Sequence, residues 1–232
     1  MNRLSPHISR HLGSELDEVR QNVLAMGGLV EEQLVAALRG LVNGSVSSAS
    51  EVSNREALIN AADVDIDAQC AQIIARRQPA ASDLRLVLTI MKMVGDMERI
   101  GDEAKRIGRL VDKLVNSECA DDTSVALAGL GENVRDMLRS SLDAFARLDP
   151  EEALVVMRRD RAVDATYRET LATITARMQE LPERIPTELD RLWAARSLER
   201  IGDHCKNLCE YVIYLVNGKD VRHTGLGKTA AG

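Results

Sequence analysis

Four pairs of carboxylates recur at one spacing in this chain: Asp63 with Asp67, Glu98 with Asp102, Asp160 with Asp164, and Glu199 with Asp203. On an α-helix that spacing places both side chains of a pair on one face. Like charges so placed destabilise a helix by about 0.2–0.5 kcal/mol, so their recurrence calls for a compensating cation. Oxygen-only donors suit hard cations such as Mg, Mn or Ca, and carboxylate clusters also hold iron. A single pair of this kind is common on a solvated helix face, and Arg99 and Arg200, inside two of the pairs, offer weak ion pairing instead. The constant placement of the pairs favours a site. Asp63 follows Ala62, Asp67 follows Ile66, Glu98 follows Met97, Asp164 follows Val163 and Glu199 follows Leu198. Every pair is expected at the rim of an apolar stripe, where antiparallel packing would gather four carboxylates in each half. Gly101 and Gly202 each precede the second carboxylate of a pair. Glycine inside a helix costs about 1 kcal/mol against alanine, and at these positions the missing side chain lets a neighbouring helix approach.

Other reactive side chains point less far. His7 and His11 share a helix face near the start of the chain, and His204 stands alone beside Asp203. Di-iron bundles supply Glu-x-x-His pairs, and none occurs here. There is also no phosphate-cradling Gly-rich loop, no nucleophile elbow and no triad candidate, so catalysis is not expected. A carboxylate-bridged metalloenzyme in a helical bundle is the rival reading, and a plain coiled-coil scaffold without ligand is a third. Cys70, Cys119, Cys205 and Cys209 show no Cys-x-x-Cys spacing and read as reduced thiols. Cys205 and Cys209, one turn apart, are expected as small core residues rather than metal ligands.

The elements that must position these residues are helices. Breakers divide the 232 residues into segments at about 6–42, 48–77, 82–115, 125–148, 150–181 and 186–217. Each carries apolar residues at helical spacing, such as Ile59, Ala62, Ile66, Cys70 and Ile73 in the second. Ser82-Asp83 is expected to cap the third segment. Asp149-Pro150 is expected to open the fifth and Asn217-Gly218 to close the sixth. Aromatic residues are only 2%, too few for most strand-rich cores. The expected fold class is all-α.

Hydrophobic residues at 45% and charged residues at 28% describe a folded chain. The net charge of -6, without a basic stripe or stacking aromatics, argues against nucleic-acid binding. The first residues lack the apolar core of a signal peptide, and no apolar run is long enough to span a bilayer. The expected location is the cytoplasm.

The stretch Glu98-Arg99-Ile100-Gly101-Asp102 recurs as Glu199-Arg200-Ile201-Gly202-Asp203. Such a repeat marks a duplicated supersecondary unit. Two related three-helix bundles are expected, at 1–118 and 119–218, joined through a polar stretch at 116–124 and followed by a tail at 219–232.

Residues 77–86, Arg-Gln-Pro-Ala-Ala-Ser-Asp-Leu-Arg-Leu, followed by Glu98 to Asp102, closely resemble the PhoU family of phosphate-uptake regulators. So do Met26 to Glu31, Leu142 to Arg147, and Ala195 to Asp203. The resemblance runs from about His7 to His223. It implies two similar three-helix bundles, in agreement with the periodicity. It also implies a negative regulator of phosphate uptake and of phosphate-starvation signalling. The implied partners are the ATPase subunit of the phosphate ABC transporter, the sensor histidine kinase of the phosphate regulon, and a second copy in a homodimer. Some members bind multinuclear metal clusters through repeated Glu/Asp-x-x-x-Asp motifs. Those motifs map onto the four pairs above, with Fe, Mn, Zn or Mg as the candidate metals.

Overall fold

The computed structural model describes residues 6–43, 47–114 and 122–221. They form six helices: α1 Pro6–Asn43, α2 Ser47–Arg77, α3 Ala81–Leu114, α4 Asp122–Arg147, α5 Pro150–Glu180 and α6 Ile185–Asn217. A 3₁₀ turn, Pro182–Arg184, precedes α6, and no strand occurs among the described residues. Cys119, the expected boundary at 118–119 and the tail beyond Val221 lie outside the described residues.

The helix ends follow from local chemistry. Asp149 caps α5, its carboxylate accepting from the backbone N–H groups of Glu151 (3.0 Å) and Glu152 (3.1 Å). Pro150 follows as the first helical residue, where a missing N–H costs nothing. Gly218 ends α6 at φ 70°, and its N–H reaches the Tyr214 carbonyl at 2.9 Å. A Cβ there would displace only the flexible end of the Arg85 side chain, so it is the left-handed φ that favours glycine. The start of α3 differs from expectation. The helix begins at Ala81 (φ 49°), ahead of Ser82, and the Asp83 N–H bonds the Ala80 carbonyl at 3.1 Å. The left-handed Ala81 closes the first turn on a backbone acceptor, and Ser82 Oγ lies 3.4 Å from its neighbour's carboxylate instead.

Helices α1, α2 and α3 pack on one another, as do α4, α5 and α6, which gives the two three-helix units expected. Two seams join them. Along the first, α3 and α6 run antiparallel over their whole length. Arg85 sits by Gly218, Lys92 over the rings of Tyr211 (5.9 Å) and Tyr214 (5.6 Å), Glu103 by Arg200 (2.8 Å) and Lys113 by Asp190 (3.5 Å). Along the second, α1 runs antiparallel to α4. Arg20 donates to the Ala146 carbonyl, Gly27 makes room for Leu142, and Gly131 makes room for Leu38. The four joined helices form the centre, and their buried residues belong to one continuous core. Helices α2 and α5 form the flanks: among the described elements α2 touches α1 and α3, and α5 touches α4, α6 and the 3₁₀ turn. The Cys70, Cys205 and Cys209 thiols are buried, and burial raises all three pKa values. These cysteines are core residues, as their spacing suggested.

Candidate functional site

Each carboxylate pair stands where a flanking helix meets a central one. The two glycines set the approach. A Cβ on Gly101 would lie 3.1 Å from Gln33 Oε1 and 3.5 Å from Ile59 Cδ1. A Cβ on Gly202 would lie 3.3 Å from Val163 Cγ1. The flanking helix therefore passes directly over each glycine, with the carboxylates on the rim of the contact.

In the first half Asp63 on α2 faces Glu98 on α3. Burial pushes the Glu98 carboxyl above the ordinary carboxylate range, and the charges of Asp102, Asp63 and Glu56 push it further, against the opposing pull of Arg99. Asp63 is raised in the same way, by burial first and then by Asp67. Arg99 lies 3.5 Å from Glu98 and 3.9 Å from Asp102 and is itself 62% exposed, so its compensation is weak. Asp63 and Glu98 also line an open groove with Lys92, Gly95, Asp96, Arg99 and His204.

The second half is built more tightly. Asp160 is buried and receives Lys206 Nζ at 2.8 Å. Burial pushes its carboxyl up, Lys206 opposes the rise, and Asp164 and Asp203 add to it. Glu199 is raised by burial, then by Asp203 and Asp164, with Arg196 opposing from 2.7 Å. Asp160 and Glu199 are therefore both raised by the same two charges, Asp164 and Asp203. The rim placement holds for seven of the eight residues. Asp160 is the correction, being only 8% exposed, because Lys206 replaces its water. Arg200 turns away from its own pair to Glu103, 2.8 Å off on α3.

The two halves do not place their pairs at equivalent positions. Glu98 and Asp102 correspond to Glu199 and Asp203. Gly101 rests on Ile59 and Gly202 on Val163, so Ile59 and Val163 are equivalent. By the same register Lys105, which holds Glu56 at 3.1 Å, is the counterpart of Lys206 holding Asp160. Asp160 therefore corresponds to Glu56, while the counterparts of Asp63 and Asp67 are Tyr167 and Leu171. Sequence spacing missed Glu56 because its neighbour one turn on is Asn60 rather than a carboxylate. Its signal was the matching Lys105 and Lys206, each falling after a copy of the repeat. Glu56 is buried, receives Gln33 Nε2 at 3.0 Å, and adds a fifth acid to the first cluster.

Both clusters thus hold more carboxylates than cations, and mutual repulsion shows in the upward shifts. Such oxygen donors fit a hard cation by type. As the side chains stand, no three of Asp, Glu, His and Cys among the described residues are gathered into a metal-binding group. His204, expected to stand alone, instead bonds Asp96 across the α3–α6 seam at 2.6 Å, with Asn207 Nδ2 donating to the same carboxylate oxygen at 3.1 Å. It belongs to the joint between the halves.

The PhoU domain matches residues 23–111 and again 127–212, one copy on each three-helix unit. The chain is 46% identical over 228 residues to a phosphate-specific transport system accessory protein PhoU homolog of Pseudomonas putida, covering 98% of this chain and 89% of that one. It is 42% identical to the phosphate-specific transport system accessory protein PhoU of Escherichia coli K12, covering 99% and 96%. The crystal structure of PhoU from Pseudomonas aeruginosa superposes with a TM-score of 0.86 at 44% identity, over 89% of this chain and 99% of that one. That of the phosphate transport system regulatory protein PhoU from Streptococcus pneumoniae gives 0.83 at 31% identity, over 90% and 99%. With both units matched and the repeat, the glycines and the paired carboxylates in place, the chain belongs to the PhoU family.

Proposed function

We propose that this protein restrains phosphate uptake and phosphate-starvation signalling as a non-catalytic adaptor in the cytoplasm. The observation that carries the reading is near-complete coverage of relatives named as accessory proteins of the phosphate-specific transport system, at 42–46% identity. No described helix is long and apolar enough to cross a membrane, so contact with a transporter would run through a partner. The partners in this reading are the ATPase subunit of the phosphate ABC transporter and the sensor histidine kinase of the phosphate regulon, with self-association into a homodimer.

The carboxylate clusters fit the adaptor role as metal-dependent docking patches. Asp63, Asp67, Glu98 and Asp102 would hold the ions of the first half, and Asp160, Asp164, Glu199 and Asp203 those of the second. Fe, Mn, Zn or Mg bound there would convert an acidic patch into one that accepts a carboxylate or phosphate from a partner. Lys105 neutralises Glu56, which is not among these ligands, whereas Asp160 would exchange Lys206 for the ion. The test is the metal content of protein purified without chelator or affinity tag, beside a variant with Glu98→Ala and Asp102→Ala. Stoichiometric metal in the parent that falls in the variant is expected, together with weaker capture of one partner while helicity is unchanged. Equal metal in both, or capture unaffected by the change, contradicts docking through the first cluster.

A further inference from the structure

The first turns of α6 leave an apolar stripe uncovered. Ile185, Leu189 and Trp193 are 39%, 43% and 53% exposed. Their spacing of four sets them on one side of the helix, over about 12 Å of its axis. Exposed apolar residues scattered singly are ordinary, whereas a contiguous stripe marks a contact surface. Lys113–Asp190 and Glu103–Arg200 fix the height of the stripe, being equally spaced on the two antiparallel helices. Trp193 therefore stands beside the α3–α6 seam, level with Leu110, and Leu189 stands level with the end of α3.

The α3 border of the stripe is basic. Arg106, Arg109 and Lys113 follow Asp102 at helical spacing on the outward side of α3, and all three are exposed. Lys113 is balanced by Asp190. Glu103 is shared by two guanidiniums, Arg106 at 3.3 Å and Arg200 at 2.8 Å. Arg109 has no partner among the described residues. Two positive charges are thus left over beside the stripe, in a chain whose net charge is -6. The duplicated unit differs at this place. Gly101 corresponds to Gly202, so Leu88 and Lys92 are the counterparts of Leu189 and Trp193. Leu88 is exposed like Leu189, but Lys92 lies over the rings of Tyr211 and Tyr214 and leaves a cation where α6 presents tryptophan.

We propose that this stripe docks an amphipathic helix of a partner protein, its apolar residues on Ile185, Leu189 and Trp193 and its acidic flank on Arg106 and Arg109. A stripe running along a helix axis beside a seam suits a second helix laid along it. The surplus positive charge selects an acidic flank over a basic one. An anionic bilayer suits the surface less. Glu199 and Asp203 continue along the outward side of α6 and would be pressed against headgroups of like charge. The docking is independent of the phosphate reading.

Trp193, the only tryptophan in the chain, is the reporter. The full chain is titrated with a synthetic amphipathic peptide carrying leucines at helical spacing and glutamates beside them. Trp193 emission is expected to move to shorter wavelength and to become shielded from acrylamide, with a Kd below about 100 µM. Leu189→Ser is expected to weaken binding at least about tenfold, and Arg109→Glu at least about fivefold. Both positions are exposed, so far-UV circular dichroism is expected to match the parent. Leu88→Ser, in the counterpart stripe, is expected to bind as the parent does. No response of Trp193 to the peptide would overturn the proposal. So would equal binding of a peptide with lysine in place of every glutamate, or an equal loss in Leu88→Ser. A shift with phosphatidylglycerol vesicles and none with peptide would overturn it in favour of a lipid surface. Emission shielded in the free chain would also overturn it, in favour of a second copy if dilution exposes Trp193 and of the chain covering its own stripe if dilution does not.

Discussion

The residue that concentrates the site's electrostatics is Glu98. Burial and three neighbouring acids hold its carboxyl above the ordinary carboxylate range. A carboxyl raised on folding contributes stability that is fully present below its unfolded pKa and is lost as pH rises through the folded one. At neutral pH the ionised Glu98 therefore carries a penalty. Glu98→Gln is expected to stabilise the metal-free protein at pH 7 by about 0.2–0.5 kcal/mol, the scale of one like-charge helix pair. The gain should shrink on acidification and vanish below about pH 4, where the unfolded carboxyl is itself protonated. Urea unfolding in the presence of a chelator at several pH values measures this. A destabilised variant at pH 7 would mean that the Arg99 contact outweighs the repulsion. Glu56 shows what residue type alone hides. Nothing in its own spacing marks it, and only its pairing with Lys105 across two helices places it beside Glu98.

Among the elements, α5 has the most fully described ends. Asp149 satisfies two of the N–H groups that a helix start leaves open. Asp149→Ala is expected to cost about 1 kcal/mol and Asp149→Asn much less, because asparagine keeps the accepting oxygen. Equal losses in thermal unfolding would mean that charge rather than the cap geometry matters. The helices themselves were largely legible in the sequence. Pro79, Asp149-Pro150, Pro182 and Gly218 are strong local signals, and each lies within a few residues of a helix end. The cap at Ser82-Asp83 was misread because a left-handed Ala81 has no sequence signature. The four carboxylate pairs were legible as helix faces, since spacing fixes a face. Their heights were not. Height depends on where one helix crosses another, and Ile59 over Gly101 and Val163 over Gly202 set that crossing. Two pairs that look alike in sequence, Asp63 with Asp67 and Asp160 with Asp164, therefore stand at different levels in their bundles.

At the scale of the molecule, the duplicated units share one core through the α3–α6 and α1–α4 seams. The polar contacts Asp96–His204, Glu103–Arg200 and Lys113–Asp190 fix the α3–α6 register. The result places the two carboxylate clusters along the central helices and leaves two long flanks for partners. Sequence periodicity could show two bundles but not their joint. His204, read alone, gave no sign that Asp96, more than a hundred residues earlier, would be its partner. The regulatory reading is a claim about a cell, so it is tested most directly there. The measurement is a phosphate-starvation reporter, with phosphate plentiful, in a bacterium lacking its own PhoU and supplied with this chain. The account predicts that the reporter, constitutively on in the deletion strain, is silenced by the parent chain and less so by the variant with Glu98→Ala and Asp102→Ala. A reporter that stays fully on, with the chain present and folded, would contradict it.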